Sequence, residues 1–71
     1  MEKTYLEELI LGLKESIERV KNGELESGDV IPEIKRIEGM CVFAHHFNLI
    51  NAWEYSDYID RLSDIEYSLD D

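Results

Sequence analysis

Four aspartates near the end of the chain, Asp57, Asp60, Asp64 and Asp71, recur at steps of three, four and seven residues. On a helix that spacing aligns all four, and at ~1.5 Å of rise per residue the line runs about 21 Å. Trp53 and Tyr67 fall on the same line, and Arg61, four residues from Asp57, is the base placed to neutralise part of it. Aspartate is a poorer helix former than glutamate, and its shorter side chain holds the charge closer to the backbone. Trp and Tyr are favoured anchors in protein interfaces. The pattern therefore predicts a binding face, with Asp57, Asp60, Asp64 and Asp71 supplying charge and Trp53 and Tyr67 serving as anchors. Carboxylates at fixed spacing on a stiff rod present to a basic groove what nucleic acid normally presents. A duplex carries one charge per ~1.7 Å of axis, denser than one helix. Imitation of DNA needs support from the acidic face of the first helix, the 24–29 loop or a second subunit.

Other constellations are thinner. Cys41 and His45 stand four apart and could supply two metal ligands, but no second Cys/His pair completes a zinc site. His45 and His46 are expected in the core or at an interface, and no metal or cofactor is expected. Carboxylate pairs occur throughout so acidic a chain and select no catalytic residue. The sequence has no glycine-rich phosphate loop and no Ser/His/Asp pattern. Seventy-one residues are few to enclose a substrate pocket of ~300 Å³. Cys41 lacks the positive neighbours that make a thiol reactive. The chain does not read as an enzyme.

Three helices must position these residues. Leu6, Leu9, Ile10, Leu13, Ile17 and Val20 form one stripe of a helix over about 5–22. Thr4 with Glu7 fits a capping box at its start, and Asn22-Gly23 fits its end. Glu15 and Arg19 are spaced for an ion pair, and Leu11 falls alone on the charged side. Asp29 is placed to cap a second helix over about 30–47, with Pro32 in its first turn. Val30, Ile34, Ile37, Cys41, Ala44 and His45 form its main stripe, widened by Met40, Phe43 and Phe47 on one side and Ile31 and Val42 on the other. A helix apolar nearly all round must be covered on nearly all sides. Met40, Phe43 and Phe47 are accordingly expected to bind a second copy. Asn48 to Asn51 is a tight connection, and Asn51 with Glu54 fits a second capping box. Tyr55, Tyr58, Leu62, Ile65 and Leu69, with Ile59 alongside, form the seam of a third helix over about 52–69. The expectation is an all-α compact three-helix bundle, one domain spanning residues 1–71, dimeric through the central helix.

Charge is distributed unevenly. Residues 1–29 hold eight acids against four bases, residues 30–50 two against two, and residues 51–71 seven against one, for a net −10. The least polar run, Met40 to Phe47, lies in the neutral middle third. Such a charge repels nucleic acid and anionic membranes and attracts basic protein surfaces. With 44% hydrophobic residues the chain can nonetheless bury a core. A lone cysteine in an apolar run suits a reducing cytoplasm, no run reaches the ~20 residues of a membrane span, and the start lacks the pattern of a signal peptide.

Length, acid-rich helices carrying Asp57, Asp60, Asp64 and Asp71, and compact helical organisation together resemble the small acidic host-takeover proteins of bacteriophages. Some of that class imitate DNA and occupy the nucleic-acid site of a bacterial protein, the nucleoid protein HU among them. The resemblance implies a basic host DNA-binding protein as partner, HU-like as the specific expectation, and the host bacterial cytoplasm as the setting. The alternative expectation is an adaptor or regulator that engages a host protease or polymerase component through Met40, Phe43 and Phe47, its acidity serving solubility.

Overall fold

Apolar residues at three- and four-residue steps close into three helices around one core in the computed structural model, which describes residues 3–69. They are α1 (Lys3–Lys21), α2 (Ser27–His46) and α3 (Ala52–Leu69). Short connections make each helix antiparallel to the next, so α1 and α3 run parallel along a molecule 39 Å long. Leu6, Ile10, Leu13 and Ile17 of α1, Val30, Ile34, Ile37, Cys41 and Ala44 of α2, and Tyr58, Leu62 and Ile65 of α3 are buried together. Leu9, Val20, Met40, Tyr55, Ile59 and Leu69 pack around them. The expected stripes are therefore the faces that meet, except that His45, expected on the α2 stripe, is exposed, as is His46. Each fully buried aliphatic side chain contributes about 1.5–3 kcal/mol of transfer free energy.

The turns follow from two residues in the left-handed region. Gly23 has φ 80°; its N–H donates to Val20 O at 3.1 Å while the Glu24 N–H reaches Arg19 O at 2.8 Å. Asn48 does the same after α2, at φ 61°. Its N–H donates to His45 O at 3.1 Å, and that of Leu49 to Ala44 O at 2.8 Å. Both pairs of bonds satisfy carbonyls that the helix end leaves open. The chain then dips inward at Ile50, which is buried, before the expected capping box of α3. There the Asn51 N–H donates to Glu54 Oε1 at 2.9 Å and the Glu54 N–H to Asn51 Oδ1 at 2.8 Å.

The other two helix starts differ from expectation. Helix α1 is already formed at Lys3, so Thr4 lies inside it and caps nothing; Glu7 instead accepts the Tyr58 hydroxyl at 3.2 Å. Helix α2 begins at Ser27, with Glu26 at the cap position and no side-chain cap bond, so Asp29 sits in the first turn. Its charge still favours the positive end of the helix. Pro32 consequently falls in the second turn, where its missing N–H leaves the Gly28 carbonyl without the usual helical donor. Gly28 and Pro32 are both exposed, so water can take that place. Arg19 pairs with Glu24 at 3.6 Å in place of the expected Glu15.

Candidate functional site

Burying Tyr58, Leu62 and Ile65 turns the opposite face of α3 outward. Asp57, Asp60 and Asp64 are all exposed on that face, spread over about 10 Å of axis. Trp53 is 86% exposed and Tyr67 72% exposed, one at each end of the row. The structure thus brings five of the six predicted residues onto one solvent-facing line; the sixth, Asp71, lies outside the described residues. Trp53 is also the only tryptophan of the chain. No core contact explains so large an indole in water.

The row is weakly compensated. Arg61 Nη2 approaches Asp57 Oδ2 to 2.7 Å, with both side chains about half exposed. The same guanidinium stands 5.8 Å from the centre of the Tyr58 ring. Among the described residues the Asp60 and Asp64 carboxylates have neither an ion pair nor a hydrogen bond; the Ser68 hydroxyl donates to the main-chain oxygen of Asp64. Within α3, Glu54, Asp57, Asp60, Asp64 and Glu66 stand against Arg61, net −4. Exposed carboxylates at i, i+3 and i, i+4 repel one another by a few tenths of a kcal/mol per pair. Asp57 pairs with Arg61, Glu66 with Lys35 and Glu54 with the Asn51 N–H, whereas the fold draws no such contact from Asp60 or Asp64 among the described residues.

The support expected from α1 is absent. Over Lys3–Lys21 its four glutamates are matched by four bases, and Glu18 lies 4.0 Å from Lys21. Lys14 and Arg61 both line the groove of about 360 Å³ between α1 and α3, beside Glu18 and Asp64. Acids and bases are equally numerous over this helix, so α1 adds no net charge to the row. The acidity is concentrated instead on α3 and on the connection from Glu24 and Glu26 into the first turn of α2, where Asp29 lies. Helix α1 ends where α3 ends, Val20 and Lys21 facing Ser68 and Leu69 across a small cavity, so that connection adjoins the C-terminal half of α3.

Elsewhere the titratable groups serve the fold. The Tyr58 hydroxyl is pushed up to about 12 by burial first and by the neighbouring Glu7 carboxylate second. Burial, then Glu38, raises the Cys41 thiol, so this cysteine is not a ready thiolate. The Lys35 ammonium is held above the usual lysine range by its hydrogen bond to Glu66 at 3.2 Å and by Glu38. His45 stacks on Tyr55, ring centres 4.7 Å apart and planes within 12°. No group of three or more His, Cys, Asp or Glu side chains among the described residues is arranged to hold a metal ion. None of their helices is long and apolar enough to cross a membrane.

The residues intended for self-association divide. Met40 packs against the core, whereas Phe43 and Phe47 stay outside, their ring centres 4.6 Å apart. Val42 and Leu49 are exposed as well.

Fold and site together define a small three-helix bundle that shows solvent an acidic, aromatic-ended helix face. Compared with protein-family models, curated proteins and solved structures, the chain matches none.

Proposed function

We propose that this protein is an acidic inhibitor. In this reading the outer face of α3 docks into the nucleic-acid groove of a basic DNA-binding protein, an HU-like nucleoid protein of a bacterial host, and keeps DNA out. The observation that carries it is the row itself: Asp57, Asp60 and Asp64 are solvent-facing, Asp60 and Asp64 are uncompensated, and Trp53 and Tyr67 flank them almost fully exposed. A solvated face kept only for solubility has no use for two large aromatics. An interface does, because an indole or phenol expelled from water against a partner contributes far more than a rim charge. The carboxylates steer the approach and set the register, and adjacent Glu24, Glu26 and Asp29 extend the field beyond the row.

Displacement of labelled duplex DNA from purified HU tests the proposal, and Trp53 fluorescence reports docking directly. Displacement at low salt that weakens steeply as salt rises is expected, because screening at ~1 M reduces the Debye length to about 3 Å. Asp57→Asn, Asp60→Asn and Asp64→Asn combined are expected to weaken docking at least about tenfold. An affinity insensitive to salt, or to the triple substitution, removes the inhibitor reading.

A further inference from the structure

The outer face of the second half of α2 is used neither by the core nor by the acidic row. From Gly39 to Trp53 the chain runs fifteen residues without an Asp, Glu, Lys or Arg, although its formal charge is −10. Folding buries Cys41, Ala44 and Ile50 of this stretch but leaves its outer side uncovered: Val42 is 51%, Phe43 52% and Phe47 57% exposed. The rings of Phe43 and Phe47 touch, and His46 meets Phe47 edge-on with centres 5.1 Å apart, so the surface is continuous.

Gly39 lies on the same face, one turn before Val42 and Phe43. A glycine inside a helix is destabilising relative to alanine; Gly12 of α1 carries that cost too, but Gly39 does so on an exposed apolar face. The fold itself does not require Gly39. Its φ is not positive, and a Cβ placed there would meet nothing within 4 Å. What Gly39 supplies is a notch in an apolar helix face, the feature that lets a second helix approach closely.

We infer that this face pairs with the same face of a second copy, two α2 helices crossing near Gly39 with Phe43 and Phe47 of each laid over the notch of the other. Charge selects this occupant. A basic partner is drawn to α3, where the carboxylates are, and gains no Coulomb attraction here. Two molecules of charge −10 repel least where both are uncharged, and Gly39 to Trp53 is the longest such stretch. The acidic connection between α1 and α2 and the C-terminal half of α3 lie toward the opposite end of a 39 Å molecule, so such pairing keeps them apart. The contact is isologous and closes on itself. A standard interface takes about 800 Å² per partner, roughly a sixth of the 4850 Å² surface. A face built on one helix offers only part of so large an area, so the expected pairing is a concentration-dependent dimer. The inference does not depend on the inhibitor reading.

Sedimentation of the full chain at low and high salt, from about 10 μM to 1 mM, tests it. The expected result is a shift from 8.3 kDa to twice that mass, several-fold tighter at high salt because like charges are screened. Docking to a basic partner moves in the opposite direction. Gly39→Ala is expected to raise the melting temperature of the monomer and to weaken self-association at least about tenfold. Phe43→Ser, already half exposed, keeps its helical spectrum and its docking to HU while losing the dimer. A single 8.3 kDa species at every concentration and salt, or a Gly39→Ala variant that pairs as tightly as the parent, overturns the inference.

Discussion

Replacing Asp57, Asp60 and Asp64 by asparagine removes three of seventeen acidic residues, and its effect on stability can be worked out from the structure. Asparagine and aspartate have similar helix propensities. The substitutions break the ion pair between Asp57 and Arg61, whose side chains are 53% and 45% exposed; an exposed i, i+4 pair is worth about 0.3–0.5 kcal/mol. Against it stand two relieved repulsions, Asp57 with Asp60 and Asp60 with Asp64, each about 0.2–0.5 kcal/mol. Asp64 also lies toward the negative end of α3, where neutralising it gains a few tenths of a kcal/mol. The balance runs from no change to a gain of about 1 kcal/mol, mostly lost in high salt. Urea unfolding followed by circular dichroism, at low and high salt, measures it. Stability unchanged or raised, alongside abolished docking, separates a binding face from a structural one. A loss above about 1 kcal/mol would mean that the carboxylates support the fold, and the case for an outward-facing ladder would fail.

Tyr58 gives the molecule an alkaline limit. Below pH 10 folded and unfolded chains both hold the phenol proton; between about pH 10 and 12 the unfolded chain releases it first, so stability falls across that window by about 1.4 kcal/mol per pH unit, approaching 3 kcal/mol. Unfolding free energies measured through this range should lose that slope in Tyr58→Phe, and a variant with the same slope as the parent counts against the assignment. Asn51→Ala deletes one of the two reciprocal bonds that start α3 and is expected to cost about 1 kcal/mol in urea titration; a neutral result would mean that solvent replaces the cap. Trp53→Ala is expected to leave stability within about 0.5 kcal/mol, as for an exposed site, and to weaken docking by about 2 kcal/mol, as for an interface anchor. The reverse pattern would make the indole a structural residue.

Where the sequence was informative, periodicity and local bonding made it so. The stripe from Leu6 to Val20 and the seam from Tyr55 to Leu69 select the buried faces because a helix repeats every 3.6 residues, and Asn51 with Glu54 marks a helix start by bonds made within four residues. Gly23 was equally legible, since left-handed backbone favours glycine. Asn48 plays the same part after α2, and asparagine is the usual second choice there, so that turn too has a local signal. Ile50 was not legible, because burial of a connection depends on how two helices dock. The start of α2 was misread for a related reason: Asp29 and Pro32 are good first-turn residues, yet packing carries the helix back to Ser27 without a side-chain cap. Tyr58 drew Glu7 away from its expected partner, a contact across 51 residues that local pattern cannot foresee. The alignment of Asp57, Asp60 and Asp64 follows from spacing alone on a helix, while the neutrality of α1 emerges only once the helix bounds Lys3–Lys21 separate it from Glu24, Glu26 and Asp29.

Charge is distributed unevenly along the molecule, and that distribution decides which contacts it can make. Over the uncharged stretch the side chains of Phe43, Phe47 and Trp53 stand in water; from Asp57 onward along α3, where Tyr67 is exposed among them, and from Glu24 to the first turn of α2, carboxylates do. An acidic surface without aromatics would steer a basic partner and release it as soon as salt rose. An apolar surface without charge would favour the partner already present in excess, another copy of the chain. Trp53 stands at the junction, last in the uncharged run and first on the acidic line, with Glu7, Asp57 and Arg61 beside it. Pairing through Val42, Phe43 and Phe47 uses α2 and leaves α3 free, so the two associations need not compete. Their opposite responses to salt then provide the separation that a single binding measurement lacks. If both strengthen with salt, the carboxylates are not what the partner reads; if both weaken, the α2 face is not what joins the copies.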